Sequence, residues 1–374
     1  MGISSLYIHF PFCRHLCNYC DFYKTRVESS DYRMAFNGFQ SELTQSFAIH
    51  QHFLEQNDIS WEPLETLYLG GGTPSLWGRE GAEFLKSFLN ANQLVLAENL
   101  EMTLEVNPGS WTEEGIKAFQ KLGVNRYSLG VQALDSKMLG QLDRVHSLED
   151  VHQTLGFFNK LKLNFSVDFM LGLPVIASYQ RDIAAELEKI MSYNPPHLSL
   201  YILTPKGNYP HTEFLPENEQ LEREYLEVSE FLEKRGYLHY EVSNFARPGR
   251  ESRHNLKYWR SESVAALGPS ATGYLADSRL RYKWKVSELE FVPEQLSEKE
   301  AKLENFYLRL RTFEGVILEE FFTSAELLKI APIVSKWQRQ GWCETRQNKL
   351  ILRPSGYIRM DGLLEELFQY TNSL

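Results

Sequence analysis

Short β-like runs alternate with amphipathic stretches through the first two hundred residues, and this alternation narrows the fold more than any other feature of the chain. Alternating β and α segments build βα units around a parallel sheet. Strands are expected near Leu6–Phe10, Thr66–Leu69, Met102–Val106, Tyr127–Gly130, Ser166–Leu171 and His197–Leu203. Stretches with helical periodicity lie between them, among them Tyr32–His50, Thr112–Leu122, Leu148–Leu161 and Tyr179–Tyr193. Six such repeats suit an open, partial (β/α)6 barrel, whose ligands gather at the C-terminal strand ends. The chemically distinctive residues fall there: Gly70-Gly71-Gly72-Thr73-Pro74 after the second strand, Glu105 closing the third, Gln132 after the fourth, and Asp168 in the fifth before Leu171-Gly172-Leu173-Pro174. Three consecutive glycines let a ligand approach the backbone, or simply make a tight strand-to-helix corner. No Gly-Lys-Ser/Thr follows, so this is not a P-loop.

Cys13, Cys17 and Cys20 form a CxxxCxxC triplet directly after the first strand. Three thiolates can hold three irons of a four-iron cluster and leave one iron open, as a catalytic metal site keeps one position for substrate. Structural zinc normally needs a fourth ligand. The one other cysteine, Cys343, sits between Trp342 and Glu344 with no further cysteine or histidine beside it and reads as an apolar filler. A disulfide would leave one of the three thiols unpaired, and the N-terminus does not resemble a secretion signal, so a reducing compartment is expected.

The 374 residues, 43% of them hydrophobic, suffice for one large α/β domain and a smaller module. A net charge of -10 argues against nucleic acid as a partner. No apolar run of about 18 residues offers a transmembrane segment, which leaves peripheral membrane association open. The start resembles a myristoylation signal, except that Leu6 stands where Ser or Thr is wanted. From about Leu275 the pattern changes. Arg279–Trp284 looks like a strand, Glu304–Phe313 and Leu318–Ile330 look helical, and Leu350-Ile351-Leu352 before Pro354-Ser355-Gly356 suggests the wing of a winged-helix-like module. Glu365 and Glu366 follow, with no basic helix, so packing or a protein partner suits this module better than DNA. The expected domains are 1–275 and 276–374.

These motifs together resemble the radical S-adenosylmethionine (SAM) superfamily and, within it, the oxygen-independent coproporphyrinogen III oxidase group. The marks run nearly end to end. They include Tyr7-Ile8-His9-Phe10-Pro11-Phe12-Cys13, the cysteine triplet with Asp21-Phe22, the glycine turn, Glu105-Val106-Asn107-Pro108, Gly130-Val131-Gln132, Asp168, Tyr240-Glu241-Val242-Ser243-Asn244, His254-Asn255-Leu256-Lys257-Tyr258-Trp259 and Leu310-Arg311-Thr312. The resemblance implies that Cys13, Cys17 and Cys20 ligate a [4Fe-4S] cluster whose fourth iron is chelated by SAM. It also implies that Gly71, Gly72 and Thr73 hold the methionine end, and that Tyr7, Tyr19, Glu105, Gln132, Arg144 and Asp168 line the SAM site. Arg144 lies twelve residues beyond Gln132, as in the family. Reductive cleavage of SAM would then supply a 5′-deoxyadenosyl radical inside the barrel.

Two differences choose between subfamilies. The oxidase resembles CxxxCxxCxC, where this chain has Phe22 in place of the fourth cysteine, and it carries an N-terminal extension, where only twelve residues precede Cys13 here. Both are similar to the HemW-type heme chaperones, which bind heme and pass it to acceptor hemoproteins and whose HNxxYW mark is met by His254, Tyr258 and Trp259. Imidazole and tyrosinate can ligate heme iron, and aromatic rings can cover a porphyrin. The same residues could equally form a hydrogen-bonded turn over a packed Tyr-Trp pair. The resemblance implies heme, an acceptor hemoprotein (a respiratory one being plausible), an electron donor, and a cytoplasmic place with peripheral membrane contact. It favours a chaperone over a porphyrinogen decarboxylase while retaining radical SAM machinery. Relatives differ at Thr272, where histidine is usual, and across Thr204-Pro205-Lys206-Gly207.

Overall fold

A computed structural model describes residues 2–177, 179–204 and 209–370. The described residues divide into two compact units: those up to Pro216 together with Ser263–Glu294, and Glu217–Glu262 together with those from Gln295 onward. A single boundary after 275 is therefore not where the compact units divide. The segment 217–262 follows the last βα unit in sequence but groups with the C-terminal part, and the chain then returns to the first unit.

In the first unit the strands are β1 (Gly2–Phe10), β2 (Ser60–Gly71), β3 (Leu96–Val106), β4 (Arg126–Gln132), β5 (Phe165–Leu171), β6 (His197–Ile202) and β7 (Ala265–Leu267). Their order is β7-β1-β2-β3-β4-β5-β6, with no pairing of β6 to β7 among the described residues. Every pairing in this run is parallel: Leu6 faces Ala265 and Leu67, Leu67 faces Met102, Leu104 faces Tyr127, Leu129 faces Val167, and Phe169 faces Leu200. The near-continuous burial of β4 and β5 is that of strands covered on both faces. All six expected strands are present. The seventh, β7, has only three residues and follows a long detour, so no βα rhythm announces it.

Helices α1 (Tyr32–Gln56), α2 (Gly78–Ala91), α3 (Glu113–Leu122), α4 (Leu148–Lys160) and α5 (Ile183–Met191) connect these strands. α1 buries Phe36, Phe39, Leu43, Phe47 and Leu54, an i, i+3/i+4 stripe. Thr112 caps α3 by accepting from Gly115 N, and Ser147 with Asp150 forms a full capping box on α4. These caps fix where β3 and β4 hand over to the loops that carry the site.

The second unit holds helices Asn218–Lys234 and Arg253–Trp259 and the antiparallel pair Leu238–Glu241 with Asn244–Ala246. Further on, helices Glu298–Leu310 and Ser324–Arg339 accompany a three-stranded antiparallel sheet of Val316–Ile317, Lys349–Leu352 and Cys343–Arg346, in that order. Two helices and a small antiparallel sheet thus occupy the stretch where the sequence suggested a winged-helix-like module. The second helix starts at Ser324 rather than Leu318, because Thr323 and Glu326 form a capping box there. Cys343 is buried, its thiol 4.0 Å from Val334 O, in the filler role expected of it. Among the described residues no helix is long and apolar enough to cross a membrane.

Candidate functional site

The cysteine loop leaves β1 at Phe10 and is pinned at both ends. Residues Phe12–Cys13 pair in parallel with Thr25–Arg26, and His9 Nε2 lies 2.8 Å from Tyr23 O. A carbonyl accepts only, so Nε2 carries the proton and Nδ1 accepts from the Tyr7 hydroxyl at 3.0 Å. Cys13 is 7% exposed, whereas Cys17 and Cys20 are half-buried. Burial pushes the Cys13 thiol up, and the nearby Cys20 and Cys17 add to this. Among the described residues no three His, Cys, Asp or Glu side chains converge as ligands of a single ion would. Thiols spread over one loop are compatible with a cubane, which takes each on a separate iron.

The glycine turn packs against this loop. A Cβ at position 71 would meet the His9 ring at 2.5 Å, where the backbone also has φ +106°, and one at position 72 would meet Phe12 O at 2.7 Å. Its amides are engaged: Gly71 N donates to Glu105 Oε2 at 3.0 Å, Gly72 N to Phe10 O at 2.7 Å, and Thr73 N to Phe12 O at 2.8 Å. The glycines thus make the tight corner, and ligand contact from this turn falls to its carbonyls and to the Thr73 side chain.

Glu105 also accepts from the Tyr68 hydroxyl at 2.9 Å. Burial raises its pKa to about 7, opposed by the Tyr68 bond and reinforced by Asp168. Asp168 accepts from Ser128 at 3.0 and 3.1 Å, and burial lifts it to about 6 against the pull of Ser128 and Ser199. Arg144 donates to Gly130 O and Asn107 Oδ1, both at 2.8 Å, and reaches Cys17 Sγ at 3.8 Å. Burial works against its charge, but Tyr19, Cys17 and Cys13 outweigh that and hold it cationic. Tyr19 bonds this guanidinium, and burial pushes its phenol well above the ordinary range. Gln132, at φ +69°, ends β4 close by. A cavity of about 230 Å³ opens here, lined by Arg14, Cys17, Thr73, Asn107, Arg144 and His146 among others.

The HNLKYW segment is a short helix rather than a turn, with Ser252 capping it by accepting from Asn255 N. His254 is buried at 1% exposure, edge-on to Tyr258 with ring centroids 5.4 Å apart. Burial pushes the Tyr258 phenol up. Trp259 joins a cluster with Tyr240, Ala246 and Leu256, and Arg311 lies over its ring at 3.9 Å. Arg311 Nη2 also pairs at 3.3 Å with the fully buried Glu241.

A family model described as the radical SAM superfamily matches residues 7–187. The chain is 34% identical over 337 residues to the heme chaperone HemW of Lactococcus lactis, covering 85% of this chain and 84% of that one. The chain belongs to the HemW family. It is also 29% identical over 389 residues to the Escherichia coli heme chaperone HemW, covering 96% and 97% of the two chains. In fold, the HemW family member described here is like the Escherichia coli coproporphyrinogen III oxidase HemN, a radical SAM enzyme, with a TM-score of 0.76 at 18% identity over 98% of this chain and 90% of that one. Membership in this radical SAM family brings a [4Fe-4S] cluster and SAM as cofactors. The loop of three thiols and the flanking donors and carboxylates fit both.

Of the residues singled out in the sequence, Cys13 and Thr73 connect through Asn107 to Arg144, Cys17 and Tyr19, and Gly71 joins Glu105. Sequence reasoning passed over Tyr68, Asn107 and Ser128. Asn107 lay inside the Glu-Val-Asn-Pro motif and could have been found there; Tyr68 and Ser128 sit within apolar strand runs and carried no signal. Residues 205–207 of the divergent Thr204–Gly207 stretch lie outside the described residues.

Proposed function

We propose that this chain binds heme and transfers it to acceptor hemoproteins, with Cys13, Cys17 and Cys20 holding a [4Fe-4S] cluster and Arg144 taking the carboxylate of SAM. The likeness to proteins named heme chaperone over most of their length carries this reading. Phe22, 66% exposed where the oxidase group has its fourth cysteine, supports it. Tyr7, Tyr19, Gln132 and Asp168 line the same SAM site. The carbonyls of Gly71 and Gly72 are acceptors suited to the ligand's ammonium group, beside Thr73, and Glu105 holds their turn in place. Guanidinium suits the planar carboxylate, and a cationic Arg144 amid buried neighbours makes that pairing strong. When bound, cluster and SAM supply electron transfer and radical chemistry; the chain orients them and keeps water away.

For the heme we assign His254, Tyr258 and Trp259. The Trp259 indole N–H is buried without an acceptor among the described residues, a donor that a heme propionate could use. His254 at 1% exposure must be uncovered before it can reach iron. The acceptor is a respiratory hemoprotein met at the cytoplasmic membrane surface, and a separate donor supplies electrons to the cluster.

Hemin titration of the cluster-loaded chain, followed by transfer to an apo-hemoprotein, tests this. One heme per chain that moves to the acceptor is expected, with affinity reduced at least tenfold in His254→Ala. Conversion of coproporphyrinogen III to protoporphyrinogen IX under anaerobic conditions, with reductant and SAM, would replace the reading with decarboxylation.

A further inference from the structure

Arg144 directs hydrogen bonds toward two of the three cysteines by different routes. One is direct, from Nη1 to Cys17 Sγ at 3.8 Å. The other begins with Nη2 donating to Asn107 Oδ1 at 2.8 Å. A guanidinium has donors only, so the amide of Asn107 has a fixed orientation: Oδ1 faces Arg144, and Nδ2 faces Thr73 Oγ1 at 2.9 Å. Thr73 accepts there, which leaves its single hydroxyl proton for Cys13 Sγ at 3.4 Å. The run Arg144 to Asn107 to Thr73 to Cys13 has one direction, imposed by the one member unable to accept.

The surroundings are built for Asn107. A Cβ at position 130 would stand 2.4 Å from Asn107 Oδ1, so glycine is required there for the amide to sit where it does. Its carbonyl accepts from Ser110 N at 3.1 Å and Ser110 Oγ at 2.7 Å, which fixes the backbone. Thr73 itself is 4% exposed.

We propose that Asn107 is a positioning residue which, through Thr73, keeps a hydrogen bond on the Cys13 thiolate. Together with the direct Arg144 contact on Cys17, this raises the reduction potential of the cluster. The inference rests on the reading that the three cysteines hold a [4Fe-4S] cluster. Hydrogen bonds to ligating sulfur draw negative charge off the cluster and favour its reduced, more negative form. The two routes share Arg144, so a carboxylate that draws on this guanidinium changes both bonds at once and links ligand binding to the ease of reduction.

The test is a redox titration of the reconstituted full chain without SAM, followed by electron paramagnetic resonance, on wild type, Thr73→Val, Thr73→Ser, Asn107→Asp and the Asn107→Asp, Thr73→Val double variant. Thr73→Val removes the donor at nearly constant volume and is expected to lower the reduced-to-oxidised ratio at the wild-type midpoint about tenfold, or ~59 mV for one electron. Thr73→Ser restores it. In Asn107→Asp the carboxylate still accepts from Arg144 but turns an acceptor toward Thr73, whose proton leaves Cys13. The midpoint falls again, and by less when Val already stands at 73. A midpoint unmoved in cluster-loaded Thr73→Val, or strict additivity of the two substitutions, overturns the relay. A wild-type chain that takes up no iron and gives no cluster signal overturns instead the reading of the cysteines.

Discussion

The cysteine loop with the strand ends beneath it and the HNLKYW helix in the second unit are both dense with functional residue types, yet they are built in opposite ways. At the strand ends, Cys17, Thr73, Asn107 and Arg144 line a cavity and bond one another or the cysteine sulfurs, and two buried carboxyls have raised pKa. Around the helix, the imidazole is buried, the indole is packed under Arg311, and that cation answers a fully buried carboxylate. The first region is arranged around something to be bound. The second is closed on itself, and its motif residues hold the unit together whatever else they do.

Removing one thiol should have the largest effect on binding and little on folding. Cys17→Ala is expected to abolish cluster loading, read as iron per chain, while the thermal midpoint of the apo-protein stays within a degree or two of wild type. A large drop in apo-protein stability would make the loop structural and erase the contrast.

Arg311→Met attacks the other region. It leaves Glu241 buried with Asn244 and Ser243 N as its remaining partners, and breaking a buried pair in this way costs about 3–5 kcal/mol. Urea unfolding should register most of that loss, and Glu241→Gln in the same background should recover part of it. Heme binding lost at unchanged stability would instead assign Arg311 to ligand recognition.

Gly71→Ala sharpens the account of the turn. With φ +106° and the His9 ring 2.5 Å from the new Cβ, it should destabilise the apo-protein by about 1–3 kcal/mol. Lost SAM affinity without lost stability would mean that the glycine serves the ligand alone.

The smallest effect is one of pH, and one buried group taken from each region acts with opposite sign. His239, stacked on Phe245 in the second unit, is lowered to about 3 by burial, which outweighs its backbone hydrogen bonds. Between pH 6.5 and 3 the unfolded chain binds a proton there that the folded one does not, so stability falls on acidification. Glu105 is raised to about 7 by burial, so between its ordinary 4.5 and 7 the folded chain holds the extra proton and stability falls as pH rises. From pH 6.5 to 4.5 the two slopes oppose each other, each at most about 1.4 kcal/mol per pH unit. Glu105→Gln should therefore steepen the loss of stability between pH 6.5 and 5. Parallel curves for variant and wild type would mean that Glu105 titrates normally.

The contrast also marks where the sequence was legible. The six expected strands were readable because each is a short apolar run buried on both faces, and helices such as α4 because Ser147 and Asp150 announce a cap. The cysteine spacing singled out its loop, since three thiols within eight residues have few other uses. Membership of 217–262 in the second unit was hidden: sequence adjacency to β6 says nothing about which apolar faces a helix will meet. The start of Ser324–Arg339 was misjudged because the apolar residues from Leu318 mimic helical periodicity ahead of the Thr323 cap.

By itself the sequence determined the alternating parallel sheet, the thiol loop at its first strand end, and a set of motifs dense enough to select a family. Periodicity, spacing and residue chemistry are local properties, and they survive in a one-dimensional record. Only the tertiary structure decided that the glycine turn is a packing corner against His9, that Asn107 sits between Arg144 and Thr73, and that His254 lies buried. Those facts depend on which atoms meet across intervals of thirty to more than sixty residues, and on the one-way donor chemistry of a guanidinium once its neighbours are fixed.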